Sequence, residues 1–321
     1  MMKRLLYLLL LPVILAGCIN GLDDSRDLCC SNAIVHYRYV RYANDEYREF
    51  VHGMRHFLFG QDGIYIGEVP SNLANPQDLE LKGLAQGKYT IVTVGNAGTD
   101  SKGENTMLSP LESGKSKLAD FRLALYGTDQ LRRNSEELFW NTISVDLTDR
   151  KKERYTADLA NIHCHLQYRV VWQDAPELDG TYRMEMTGAS DGYSLDPAQA
   201  SPEITVNARH GIKHLFPKHS DRLTGYESKT DLFQHRLEGE IVSLRYRDDR
   251  IPTIRLFHGD QAITKHIDLG RVFAEWGWRP DKRAEQIYRI EIRINRDGSI
   301  TIRPWNEVTI ADWQPGGTVV K

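Results

Sequence analysis

IHCHLQYRVVW, residues 162–172, is the stretch whose reading decides the fold. Ile162, Cys164, Leu166, Tyr168, Val170 and Trp172 stand at every second position. Side chains alternate across a strand with a period of two, so this spacing predicts one long strand with a buried face. The same alternation sends His163 and His165 to one side and Cys164 to the other. Three potential metal ligands in a row therefore cannot close on one ion, and no metal site is expected. The reading is two solvent-facing His residues and a buried thiol.

Working outward, the period of two recurs along the chain, in residues 34–41 and 89–94. Toward the C-terminus Ile290, Ile292 and Ile294 share a face, Asp297-Gly298 marks a turn, and Ile300 with Ile302 continues the apolar set on the return strand. Gly60 to Gly63, with Asp62, reads as a second hairpin turn between Phe57-Leu58-Phe59 and Ile64-Tyr65-Ile66. Helical signal is sparse. Residues 268–276 predict a short helix stopped at Gly277, and Asn134-Ser135-Glu136-Glu137 predicts a single turn before Leu138. Short strands separated by turn residues predict an all-β protein of two sandwiches in tandem. The charged run 149–154 marks the boundary, giving domains over 32–154 and 155–321.

Charge and motif content narrow the function. Lys and Arg total 41 against 44 Asp and Glu, for a net charge of −3, which argues against a nucleic-acid partner. The chain carries no Gly-Xaa-Ser-Xaa-Gly elbow, phosphate-cradling Gly loop or His-Glu-Xaa-Xaa-His helix. His210, His214 and His219 lie in a polar stretch without helical spacing and read as loop residues. No catalytic residue and no cofactor is expected.

The N-terminus carries an address. Lys3 and Arg4 precede an apolar run over 5–15 that contains Pro12 and ends in Leu15, Ala16, Gly17 and Cys18. A membrane span needs about 20 apolar residues, so residues 1–17 read as a signal peptide. Its ending resembles the bacterial lipobox, which implies that Cys18 receives a diacylglycerol and, after cleavage, an amide-linked acyl chain such as palmitate. Two or more acyl chains give stable anchoring. Residues 18–31 form a polar tether, and its Asp23-Asp24 pair resembles the surface-export signal of Bacteroidota lipoproteins. The localisation implied is the outer membrane, lipid-anchored and facing the exterior. Cys29, Cys30 and Cys164 then remain, an odd number that permits at most one disulfide. Cys164 is either a buried free thiol or paired with Cys29 or Cys30.

The ordered set IVHYRYVRYANDEY, FLFGQDGIYIGEV, LAQGKYTIVTVGN, ELFWNTISVDL, ANIHCHLQYRVVW and IYRIEIRINRDGSITIRPW resembles the fimbrial anchor lipoproteins of Bacteroidota, which hold fimbrillin-type (type V) pili to the outer membrane. The resemblance implies two transthyretin-like Greek-key sandwiches, a fimbrillin shaft subunit as partner, and an influence on fimbrial length. Subunits of these pili join by strand addition to an open groove. An uncleaved strand over 34–42, with Ile34, His36, Arg38 and Val40, would fill its own groove and stop polymerisation. The tail, with Val308, Ile310, Trp313 and Val319, either completes its own domain or docks into the last shaft subunit. Two alternatives stand beside this reading. A surface glycan-binding lipoprotein would present Trp276, Trp278, Trp305 and Trp313 as a coplanar open row, whereas a fimbrial shaft or tip subunit would lose its start at Cys18 to a protease.

Overall fold

The computed structural model of the chain describes residues 33–98, 105–128, 131–132, 134–147, 153–176, 181–198, 202–203, 209–215 and 235–305. Strands dominate them. Among the described residues helix is confined to Tyr47–Phe50, Leu269–Glu275 and single 3-10 turns at Leu118–Asp120 and Pro280–Lys282. The all-β class holds, and among the described residues no helix is long and apolar enough to cross a membrane.

The chain divides into two compact units, but not at one cut. Among the described residues, the first gathers those up to Gly95, Leu111–Leu118 and Trp140–Ala160, and the second gathers Asn96–Pro110, Ala119–Phe139 and those from Asn161 on. Pairing explains the exchange, because Thr106–Leu108 and Arg122–Leu125 belong to one sheet with Gly192–Ser194 and Pro202–Glu203. Residues 149–152, within the charged run expected to mark the boundary, lie outside the described residues.

In the first unit Glu153–Asp158, Ala33–Arg38 and Asp78–Leu81 make a three-stranded sheet. Phe139–Asp146, Lys88–Gly95, Met54–Gly60 and Tyr65–Val69 run side by side in a second sheet. The expected hairpin is present between Met54–Gly60 and Tyr65–Val69, with a bulge between Leu58 and Phe59. Gly63 turns the chain at φ 75°, and its N–H donates to Gly60 O at 2.9 Å. The open edge of Tyr65–Val69 is covered, since Gly114 N donates to Tyr65 O and Tyr65 N donates to Ser116 O. The expected one-sided alternation over 89–94 does not hold throughout. Residues 91–95 are all buried, as are 57–59, so the middle of this sheet is covered on both faces.

The second unit is built around His163–Trp172. That strand runs antiparallel to His235–Leu244 and parallel to Gln286–Ile294. Cys164, Leu166, Tyr168, Val170 and Trp172 all enter a core shared with Tyr182, Met184 and Met186 of the facing sheet. The C-terminal hairpin forms as read, with Ile292 opposite Ile302 and Ile294 opposite Ile300. Gly298, at φ 79°, donates to Asn295 O at 2.9 Å in its turn. The helix Leu269–Glu275 is capped by Asp268, whose side chain accepts from Arg271 N, and Gly277 stops it at φ 67°.

Several expectations are corrected. Asn134 to Glu137 form no helical turn: Ser135 N donates to Val242 O at 2.9 Å and Asn134 Nδ2 to Glu240 O at 3.3 Å, so strand-like partners hold this segment. His210 and His214 are not loop residues, because Arg209–Leu215 pairs antiparallel with Thr181–Thr187; His219 lies outside the described residues. His163 is not solvent-facing. It is 3% exposed, its Nδ1 lies 2.9 Å from Leu138 O, and Phe139 packs edge-on against its ring.

Candidate functional site

The strand that the resemblance singles out begins as Ala33–Arg38. It sits between two neighbours. Ala33 to Arg38 pair in parallel with Glu153–Asp158, and Ala33 to His36 pair antiparallel with Asp78–Leu81. Both edges of the strand are therefore occupied by this chain's own backbone.

The residues that seat the strand are not those singled out in the sequence. Ala33, Val35 and Tyr37 are 0% exposed and Tyr39 is 3% exposed. Of the expected set, Ile34 is buried, His36 and Arg38 are half-buried, and Val40 is 44% exposed. The physical reason is polarity. His36 Nδ1 meets Asp78 Oδ1 at 2.6 Å, and the Arg38 guanidinium spans Asp158 at 2.9 and 3.1 Å. Charged groups bonded to neighbouring strands belong on the solvent side, leaving the odd-numbered residues to the core.

Tyr37 fastens the strand inside the unit. Its ring stacks on His56 at 5.2 Å, and its hydroxyl accepts from Thr93 Oγ1 at 2.7 Å. His56 Nδ1 lies 2.9 Å from the same Thr93 oxygen. Burial holds His56 down at about 4, so the ring is neutral near pH 7, and burial pushes the Tyr37 hydroxyl up. At the strand's exit Tyr37 N donates to Gln77 O and Leu159 N donates to Arg38 O. Asp45 Oδ1 accepts from Tyr39 N and Tyr47 N, both at 3.1 Å.

Beyond Tyr39 the chain turns back as a small hairpin, Val40–Arg41 pairing with Asn44–Asp45. The strand expected over 34–42 thus ends early. Tyr42 and Ala43 occupy the tip at φ 46° and 71°, a left-handed conformation that costs roughly 1–2 kcal/mol for a residue with a Cβ.

The other expected elements divide between placed and unplaced. Leu15, Ala16, Gly17, Cys18, Cys29 and Cys30 lie outside the described residues, as do Val308, Ile310, Trp313 and Val319. Cys164 is a buried free thiol, and burial pushes it up from its ordinary range. Trp276 and Trp278 meet at 72°, and Trp278 packs against Phe273 and Tyr288, while Trp305 lies beneath the Arg169 guanidinium at 3.9 Å. The described Trp rings thus form no coplanar row. Among the described residues, no three His, Cys, Asp or Glu side chains gather as a metal site would require.

The fold defines a class: all-β proteins of two units. Residues 26–311 match the family model of fimbrillin-A associated anchor proteins Mfa1 and Mfa2, and the chain belongs to that family. It is similar to the fimbrial anchor protein Mfa2 from Porphyromonas gingivalis, at TM-score 0.58 and 15% identity, covering 86% of this chain and 98% of that one. A Bacteroides thetaiotaomicron protein assigned by inference to polysaccharide binding superposes at TM-score 0.63 and 14% identity, covering 87% and 99%. A Bacteroides ovatus protein assigned by inference as an adhesin gives 0.61 and 13%, covering 86% and 95%. At these identities the structures speak for the fold, and the family model speaks for the kinship. No curated protein matches the chain in sequence.

Proposed function

We propose that this chain is an outer-membrane lipoprotein that holds a fimbria to the cell surface and ends its assembly by keeping its own N-terminal strand. The observation that carries the reading is the double pairing of Ala33–Arg38. A subunit that accepts a donor strand must offer an unfilled groove, and here Val35 and Tyr37 fill that position themselves. Growth stops at such a subunit. Lipid on Cys18, joined to the strand by the 18–31 tether, supplies the hold on the membrane, and the partner is the last fimbrillin of the shaft. No enzyme chemistry enters, and the family is one of anchors.

The experiment is fractionation with a fimbria-retention assay. Cys18→Ala is expected to leave the membrane fraction and to shed fimbriae into the medium, because buried acyl chains contribute about 0.8 kcal/mol per methylene and their loss removes the anchor. Mutant protein retained in membranes at high salt would defeat the lipid anchor. Intact mass of the membrane-extracted protein checks the rest: a triacylated chain beginning at Cys18 is expected, and a chain that begins after residue 38 would overturn self-complementation.

A further inference from the structure

Tyr42 is the most exposed tyrosine among the large exposed apolar residues, at 85%, and it stands on a strained tip. Turns with both central residues left-handed strongly favour Asn-Gly, which occupies that region with little or no strain. Here Tyr42-Ala43 takes the place instead, at φ 46° and 71°. The turn therefore carries strain that a commoner pair would relieve, which is characteristic of a segment retained for contact. The ring also has a cationic neighbour. The Arg41 guanidinium lies 5.6 Å from the Tyr42 ring and 4.7 Å from Phe50, and its Nη1 reaches Glu46 Oε2 at 3.2 Å. The base is fixed through Asp45 to Tyr39 N, Tyr47 N and Gln77 Nε2. A tyrosine supplies a large contact area for two side-chain torsions, so covering it costs little entropy.

Direction selects the occupant. The tether enters at Ala33, and Ala33–Arg38 runs from it for about 17 Å before the hairpin begins, at roughly 3.3 Å per residue. The tip thus lies at the far end of this strand from the segment that leads to the membrane. We propose that the 40–45 hairpin is a docking knob for the fimbrial shaft subunit, with the Tyr42 ring entering an apolar pocket on that subunit. This inference rests on the anchor reading above.

The test replaces the tip with the pair the turn prefers. Tyr42→Asn with Ala43→Gly, in the full-length lipidated chain, is expected to keep or raise the thermal midpoint and to remain in the membrane fraction. Its affinity for purified shaft subunit is expected to fall roughly tenfold or more, the usual effect of removing an aromatic hot spot. Tyr42→Phe separates the hydroxyl from the ring and is expected to retain most of the binding. Unchanged shaft affinity in the double variant, with wild type binding, overturns the knob. Failure of wild type itself to bind shaft subunit overturns the anchor reading instead. If the double variant lost binding to anionic lipid vesicles and kept the shaft, the tip would be a membrane contact and the proposal would fall.

Discussion

His56 shows how a single buried side chain ties pH to stability. Its proton affinity is lowered by burial, from 6.5 to about 4, between Tyr37 and Thr93. The unfolded chain binds a proton there below about pH 6.5 while the folded chain resists until about pH 4. The stability His56 supplies is thus complete above the unfolded value and is lost as pH falls through that window, by about 3 kcal/mol. Denaturant unfolding of wild type and His56→Phe at pH 7 and pH 4 checks this, and the difference between the two proteins is expected to move by about that amount in favour of the variant on acidification. A pH-independent difference would show that the ring is not held neutral. None of this was legible from the sequence, where His56 stands between Arg55 and the apolar Phe57-Leu58-Phe59. Burial on both faces of the Met54–Gly60 strand is what gives it a chemical consequence.

For the strand as an element, the two faces of Ala33–Arg38 predict opposite results. Val35→Asp places an unpaired charge at a position that is 0% exposed, and is expected to cost about 3 kcal/mol or more and to unseat the strand. Arg38→Ala removes an ion pair whose side chains are 41% and 58% exposed, and is expected to cost less than about 1 kcal/mol. Urea midpoints separate the cases, and equal costs would mean the assigned face is wrong. Unseating exposes two backbone edges, so Val35→Asp is also expected to self-associate or to capture a synthetic peptide of residues 33–41, read by light scattering. The strand itself was visible as alternation over 34–41, but its inward face was not. The set singled out, Ile34, His36, Arg38 and Val40, mixes apolar with polar residues, and the partners Asp78 and Asp158 that hold His36 and Arg38 outward are brought alongside only by the fold. The hairpins were legible because Gly63 and Gly298 announce left-handed turns. The Tyr42-Ala43 turn was not, because neither residue advertises it.

On the scale of the whole chain, the anchor reading assigns the two ends separate work. Truncation after Trp305 keeps the Arg169 stack and the Trp305 N–H donated to Arg289 O at 3.0 Å. If the tail docks into the shaft, this truncation is expected to leave the thermal midpoint unchanged and to release fimbriae from cells that still hold the anchor. Loss of cooperative unfolding would make Val308, Ile310, Trp313 and Val319 part of the second unit's own core, and docking would fail.

Local patterns were enough for the class of fold, the two Gly-marked hairpins, the capped helix at Leu269–Glu275 and the burial of Cys164. Each depends on periodicity or turn chemistry acting within a dozen residues. The order of six strand segments was also enough to place the family. Long-range pairing decided the rest: that Arg122–Leu125 joins the second unit, that Arg209–Leu215 is a strand, and that Ala33–Arg38 lies between partners more than 40 and more than 110 residues away. A strand exposes the same N–H and C=O groups whichever neighbour it finds. Which edge it fills is set by the side chains that must be buried together, and those meet only in the folded chain.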